Sequence, residues 1–168
     1  MRYHNITHDD MNNGDGLRVV LWVAGCDHGC KGCQNPTTWD VKGGIPFDID
    51  AMAEIFELIE KDYIAGITFS GGDPLHPLNR RDVGKLIEII KGVFPSKTVW
   101  IYTGYEWEEI IKNTELAHIM INTDVLVDGL FVEELKDNNY PWAGSTNQRV
   151  INVQETLKEG RIILHESN

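Results

Sequence analysis

The chain alternates short apolar runs with amphipathic helical patterns, and this alternation constrains its fold more than any other feature. Four apolar runs of strand length predict strands, at residues 17–24, 64–70, 97–104 and 124–129. The first contains adjacent valines, a pattern typical of a strand that is covered on both faces. Strands that alternate with helices imply right-handed crossovers, so we predict an α/β fold with a mainly parallel sheet.

Helical patterns lie between the predicted strands. A helix is predicted from Asp50, with Asp48 or Asp50 as its N-cap, a second over residues 79–94, and a short one from Glu106. The remaining predictions are a loop at 35–44, a helical turn at 131–137, and strands at 148–153 and 161–164.

Composition limits the class of protein. The 168 residues have a formal net charge of −11, which argues against nucleic acid or an anionic membrane as a partner, since both attract clustered Lys and Arg. No apolar run approaches the roughly 20 residues of a membrane-spanning helix, and the first ten residues do not resemble a signal peptide. We expect one cytoplasmic domain over residues 1–168.

Unusual polar or Gly-rich sequences follow each of the first four predicted strands. They lie at residues 26–33, 70–74 and 102–104, and at Asp128 with Gly129. In parallel α/β folds the loops at the carboxyl ends of the strands converge and bind ligands. We therefore predict that the four segments gather at one rim.

Three cysteines fall within eight residues, with the spacing C-x3-C-x2-C, and the chain has no other cysteine. An odd, local count fits no disulfide framework. Three buried structural thiols are one alternative, and a zinc site is another, with a histidine as fourth ligand (His28, or the more distant His4, His8, His76, His118 or His165). A four-iron cluster fits better, because three thiolates leave one iron open for a substrate, and glycines at 25, 29 and 32 let the loop wrap a bulky group.

Two motifs resemble a known family. C-x3-C-x2-C after the first strand is similar to the signature of radical S-adenosylmethionine enzymes, and "SGGDP" at 70–74 resembles their Gly-Gly-Glu-type segment. Further blocks resemble the activating proteins of anaerobic ribonucleoside-triphosphate reductases, which are glycyl-radical enzyme activases. These blocks span residues 13–151 and include "NGDGLRVVLWVAGCDHGCKGCQNPTTW", "VWIYTGY", "DVLVDGLFVEELKD" and "GSTNQRVI".

The resemblance implies a partial, open (β/α) barrel and two cofactors. It implies a 4Fe-4S cluster on Cys26, Cys30 and Cys33. It also implies that S-adenosylmethionine binds the open iron, with contacts from Gly32, Cys33, Gln34, Gly71, Gly72, Asp73, Tyr102 and Thr103. Of these, the Asp73 carboxylate is expected to accept from the ammonium group of the cofactor.

The same resemblance implies radical chemistry on a protein partner. Reductive cleavage of the cofactor yields a 5'-deoxyadenosyl radical, which removes a hydrogen from one glycine of the large subunit of the reductase. A low-potential donor such as flavodoxin supplies the electron. No catalytic residue is assigned beyond the cluster and the cofactor. The alternatives are activation of another glycyl-radical enzyme, such as pyruvate formate-lyase, and a non-enzymatic iron–sulfur or zinc module.

The sequence departs from the family pattern beside the third cysteine. Many radical enzymes of the family that the sequence resembles have an aromatic residue just before this cysteine, where the residue meets adenine, and this position is Gly32 here. Close relatives often have an aromatic residue just after it instead, and this position is Gln34 here. Trp39 is a candidate substitute, with packing in the core as the alternative. Residues 144–150 are expected either to contact the glycine loop of the partner or to close the sheet.

Overall fold

The computed structural model of the protein describes residues 1–167, and its centre is one seven-stranded sheet. The strands are β1 (Arg2–Asp10), β2 (Leu17–Val23), β3 (Ile45–Pro46), β4 (Ile64–Gly71), β5 (Thr98–Tyr102), β6 (Val125–Asp128) and β7 (Arg149–Asn152). The helices are α1 (Ile49–Ile59), α2 (Arg80–Val93), α3 (Trp107–Ile110), α4 (Thr114–Met120) and α5 (Val153–Glu159). Residue 168, the last of the expected single domain, lies outside the described residues.

The sheet is parallel at its centre and antiparallel at its edges. Its strand order is β3-β1-β2-β4-β5-β6-β7. The first four predicted strands, β2, β4, β5 and β6, pair with one another in parallel, and the other three strands of the sheet pair antiparallel. The strand predicted at 148–153 is confirmed as β7. The predicted α/β class is thus confirmed, while the partial, open barrel of the radical S-adenosylmethionine type stays a prediction.

The helices pack on one face of this sheet. Strand residues such as Leu21 and Phe69 form a core with helix residues such as Ile87, and all three are fully buried. From β2 to β6 the strand order follows the chain order, so right-handed crossovers place the connecting helices on the same side. The opposite face holds Trp100, which packs with Trp142 from a loop rather than with a helix.

The helix boundaries follow local capping chemistry. The side chain of Asp48 accepts a hydrogen bond from the backbone N–H of Ala51 and begins α1, so Asp48 and not Asp50 is the N-cap. Glu106 and Glu109 form a capping box at the start of α3, which confirms the helix predicted there. Among residues 1–167, none of these helices has both the length and the apolar composition that crossing a bilayer demands.

Several elements differ from the sequence-based prediction. The sequence does not predict β1, β3, α4 and α5. In β1 only Tyr3 and Ile6 are buried, so its apolar alternation is too weak to indicate a strand. The strand predicted at 161–164 is wrong, because this segment forms only a single bridge, between Leu164 and Ile151. The helical turn predicted at 131–137 is a 3-10 turn over Glu133–Leu135.

Candidate metal centre

The carboxyl ends of the four parallel strands surround one cavity of about 690 Å³. Its wall includes residues from all four predicted segments, namely Cys26, Cys30, Cys33, Ser70, Gly71, Gly72, Asp73, Tyr102, Thr103, Gly104 and Gly129. This volume lies within the range of about 300–1,000 Å³ that is usual for small-molecule sites. The prediction that the four strand ends gather at one rim is confirmed.

The cysteine loop, residues 25–33, follows β2 and has no regular secondary structure. Its three cysteines are half-buried free thiols that line the cavity. The backbone N–H of Cys26 donates to the carbonyl oxygen of Trp39 at 3.0 Å, which ties the loop to the segment after it. Gly25 and Gly29 have φ of 108° and 61°, the left-handed region that glycine favours, as expected for a loop that wraps a bulky group.

The arrangement of the three thiols fits a four-iron cluster better than a single metal ion. Burial raises the pKa of the Cys26 thiol to about 11, so a metal that binds its sulfur must displace a proton. In residues 1–167, no three His, Cys, Asp or Glu side chains are grouped tightly enough for a single metal ion. A four-iron cluster has a different requirement, because each thiolate bonds a separate iron and the sulfurs need not converge on one point.

The zinc alternative gains no support from the histidine in the loop. The Nε2 atom of His28 lies 2.5 Å from Oδ2 of Asp73, so the ring pairs with a carboxylate and not with the thiols. This hydrogen bond raises the pKa of His28 above its ordinary value.

Cys33 accepts two hydrogen bonds at its sulfur. The indole N–H of Trp39 and the backbone N–H of Asn35 both donate to Sγ, each at 3.4 Å. Trp39 is 36% exposed and lines the cavity, so the alternative that it packs in the core is wrong. Its predicted contact with adenine stays a prediction. Gln34 lines the cavity, whereas a Cβ on Gly32 would meet Glu133, so the two predicted neighbours of Cys33 face different surroundings.

The SGGDP segment, residues 70–74, packs directly against the cysteine loop. The backbone N–H of Gly72 donates to Val23 at 2.8 Å, and that of Asp73 donates to Gly25 at 2.8 Å. A Cβ on Gly72 would lie 2.5 Å from the carbonyl oxygen of Gly25. Glycine is therefore required at position 72 for contact with the first motif, and not only for the predicted approach to a cofactor.

Asp73 is buried and its carboxylate is fully engaged by protein donors. Oδ1 accepts from the backbone N–H of Leu75 at 2.8 Å and from the hydroxyl of Thr103 at 2.9 Å. Oδ2 accepts from the backbone N–H of Gly104 at 3.0 Å and from His28. A carboxylate has about four acceptor positions. Asp73 therefore anchors the surrounding loops, and its contact with the cofactor ammonium stays a prediction.

Tyr102 and Thr103 differ in whether their hydroxyl groups are hydrogen-bonded. The Thr103 hydroxyl is bonded to Asp73 and also accepts from the backbone N–H of Tyr105. The Tyr102 hydroxyl is buried, and it has no hydrogen-bond partner among the described residues. Burial raises the pKa of Tyr102, so the group stays a neutral hydroxyl that can donate or accept. A buried hydroxyl without a partner is rare in a folded protein.

Residues 144–150 take part in both the sheet and the cavity. β7 pairs with β6 and extends the sheet, while the side chain of Gln148 accepts from Gly144 and donates to Gly129. The sequence analysis missed the adjoining loop, residues 137–142, which also lines the cavity. Two aromatic residues in a polar loop, Tyr140 and Trp142, were the available signal.

Comparisons with known proteins agree with this site. Residues 12–151 match the model of the 4Fe-4S single cluster domain family. The chain is 40% identical over 150 residues to a protein of Enterobacteria phage T4, covering 89% of this chain and 93% of that relative. It is 42% identical over 152 residues to a protein of Escherichia coli strain K12, covering 89% and 97%, and 39% identical over 150 residues to one of Haemophilus influenzae, covering 88% and 96%.

All three of these relatives are named anaerobic ribonucleoside-triphosphate reductase-activating protein. The match to the cluster-domain model includes all three cysteines and the SGGDP segment, and the relatives align over most of their own length. The chain belongs to the family of anaerobic ribonucleoside-triphosphate reductase-activating proteins, which have an iron–sulfur cluster domain.

Proposed function

We propose that this chain activates an anaerobic (class III) ribonucleoside-triphosphate reductase by generating a glycyl radical on it. The proposed route is reductive cleavage of S-adenosylmethionine at a 4Fe-4S cluster, followed by hydrogen abstraction by the 5'-deoxyadenosyl radical. One observation supports this route above the others. Three thiols of one loop open into a cavity of ligand size, and the chain has no fourth cysteine.

In this proposal the cysteine loop holds the cluster. Cys26, Cys30 and Cys33 would each bind one iron, which leaves the fourth iron without a protein thiolate. The bound cluster supplies a low-potential electron and an open iron for the cosubstrate. The left-handed glycines and the backbone bond from Cys26 to Trp39 shape the loop before the cluster binds.

The strand ends would hold the cosubstrate beside the cluster. Ser70, Gly71, Gly72 and Tyr102 line the cavity, and the buried hydroxyl of Tyr102 has no partner among the described residues. The Asp73 side chain acts behind this surface, since its oxygens are occupied by protein donors. The protein thus contributes orientation and exclusion of side reactions, as expected where the cofactor performs the chemistry.

The partner would reach the cavity past the loop at 137–142. This loop and Gly144 form part of the cavity wall, so a glycine-containing polypeptide loop of the reductase would approach along them. The predicted electron donor, a low-potential protein such as flavodoxin, is part of the same proposal.

The test is anaerobic reconstitution. The protein is expected to bind about four irons per chain, to cleave S-adenosylmethionine when reduced, and to produce a glycyl radical signal in electron paramagnetic resonance on added reductase. Cys26→Ala, Cys30→Ala and Cys33→Ala should each abolish that signal while circular dichroism shows an intact fold. Radical formed on pyruvate formate-lyase instead would identify the alternative partner. Colourless protein that retains one zinc, or Mössbauer spectra in which side chains cap every iron, would refute the proposal.

A further inference from the structure

Two Asp–His pairs join the cysteine loop to the turn that follows β4. Within the loop, Asp27 and His28 are adjacent, and their partners, His76 and Asp73, lie three residues apart in the turn. Nε2 of His28 lies 2.5 Å from Asp73, and Nε2 of His76 lies 2.9 Å from Asp27. Two segments more than 40 residues apart in sequence are thus held together side chain to side chain.

The two pairs differ in burial, and burial determines which pair stabilises the contact between the loop and the turn more strongly. The side chains of His28 and Asp73 are 17% and 2% exposed, whereas Asp27 is 79% exposed. An ion pair with one partner in solvent contributes little, while a shielded hydrogen bond to a carboxylate is among the strong ones. In the second pair, Nδ1 of His76 accepts from the backbone N–H of Leu78, so it is Nε2–H that donates to Asp27.

The ring of His28 is also fixed by β5. A Cβ on Gly104 would lie 2.5 Å from the ring, and the ring of Tyr105 packs edge to face against it with centroids 4.8 Å apart. His28 therefore contacts the ends of both β4 and β5. Since Asp73 is itself held by donors from Leu75 and Thr103, the histidine is bonded to a rigid group.

We propose that His28 is a positioning residue that sets the cysteine loop, and hence its cluster, at a fixed place relative to the strand ends that hold the cosubstrate. This inference rests on the proposed function. The backbone bonds from Asp73 to Gly25 and from Cys26 to Trp39 tie down only the start of the loop, and the stretch between Cys26 and Cys30 has no regular structure. The contact from His28 to Asp73 provides a constraint from within that stretch.

The experiment compares three variants of the reconstituted protein. His28→Ala removes the contact, His28→Gln keeps an N–H donor, and Asp27→Asn is a matched control in the same loop that alters the exposed pair. Iron content and the absorption spectrum without cosubstrate should match those of the unmodified protein in all three. In His28→Ala the KM and the equilibrium Kd for S-adenosylmethionine should rise about tenfold, the value of one such hydrogen bond. His28→Gln should recover part of this loss, and Asp27→Asn should stay within about twofold.

Each outcome separates this inference from the proposed function. If the unmodified protein binds S-adenosylmethionine and His28→Ala binds it equally well, the positioning role is refuted and the proposed function stands. If both histidine variants lose iron, His28 serves cluster assembly or folding, which also overturns the positioning role. If the unmodified, four-iron protein fails to bind S-adenosylmethionine, the proposed function itself is refuted.

Discussion

Tyr102→Phe is expected to stabilise the metal-free protein and to weaken its binding of cosubstrate. The substitution removes only the hydroxyl, which is buried and unpartnered in residues 1–167 although Tyr102 lines the cavity. A polar group that has lost its contact with water without gaining a protein partner is unfavourable in the folded state. Because Tyr102 lines the cavity, a ligand that rearranges this wall on binding would give the hydroxyl a polar partner, so the two effects have opposite signs.

The magnitudes follow from the cost of an unsatisfied hydroxyl. That cost is about 1–3 kcal/mol, and the small void left by the missing oxygen offsets part of it, so the free energy of unfolding should rise by about 1 kcal/mol. For a chain of this size the melting temperature should then rise by about 2–4 °C. A neutral hydrogen bond to the ligand contributes about 0.5–1.5 kcal/mol, so Kd for S-adenosylmethionine should increase about 2- to 13-fold.

The assay is urea unfolding of the metal-free protein, paired with calorimetric titration of the reconstituted protein. Tyr140→Phe is the matched control, because its hydroxyl donates to the carbonyl oxygen of Gln148 at 3.1 Å. Removal of that satisfied hydroxyl should lower stability by about 0.5–1.5 kcal/mol. If Tyr102→Phe destabilises the protein as Tyr140→Phe does, the hydroxyl has a partner and the reasoning fails. Unchanged affinity for S-adenosylmethionine would refute the assignment of Tyr102 to the cosubstrate site.

Two further predictions concern the cluster environment and the rim. Trp39→Phe should shift the reduction potential of the reconstituted cluster to more negative values, because the N–H donor to Cys33 is lost. A redox titration without cosubstrate measures this shift. An unchanged potential together with weaker binding of S-adenosylmethionine would indicate that Trp39 contacts adenine instead. The hydrogen bond from Arg149 lowers the pKa of Glu108 to about 2, below its unfolded value near 4.5. This stabilisation is present above pH 4.5 and is lost as the pH falls toward 2. Since Glu108 is half exposed, Glu108→Gln should cost less than about 1 kcal/mol at pH 7 and almost nothing at pH 2 in urea unfolding, whereas an equal cost at both would contradict the ion pair.

The core of the fold is predictable from the sequence because burial leaves a local pattern. β2 and β4 are covered on both faces and appear as continuous apolar runs, and α2 places Val83, Leu86, Ile87 and Ile90 on one buried side. β1 leaves no such pattern, because it is stabilised by backbone pairing with β2 and only Tyr3 and Ile6 of its side chains are buried. Residues 161–164 are apolar enough for a strand, yet they form only one bridge.

The candidate site is predictable where its chemistry is local and not where distant segments meet. The cysteine spacing and the succession of strand ends depend on residues close in sequence, and both predict the cavity. The hydrogen bonds to the Asp73 carboxylate come from His28, Thr103 and Gly104, which approach it only in the folded chain. A sequence motif therefore identifies Asp73 as part of the site, but only the fold shows which protein groups its carboxylate binds.

On the sheet face opposite the helices, side chains fill the space toward the amino ends of the strands, and the cavity lies toward the carboxyl ends. Toward the amino ends of the strands, Arg18 is fully buried, donates to Thr68 at 2.8 Å and lies over the ring of Trp100. Burial lowers the pKa of Arg18 to about 10, so it remains charged near neutral pH. Trp100 also packs against His165 of the C-terminal segment, which pairs with Asp15 and covers this end.

These buried side chains around Arg18 and Trp100 confine the cavity to the carboxyl ends of the strands. The helices cover only one face of the sheet. Loops and the C-terminal segment cover the other face below the cysteines. Trp142 links the two levels, because it packs on Trp100 and also lines the cavity. A packed base below and loops above leave the cysteines beside one cavity, which is the arrangement that the proposed cosubstrate and partner chain would need.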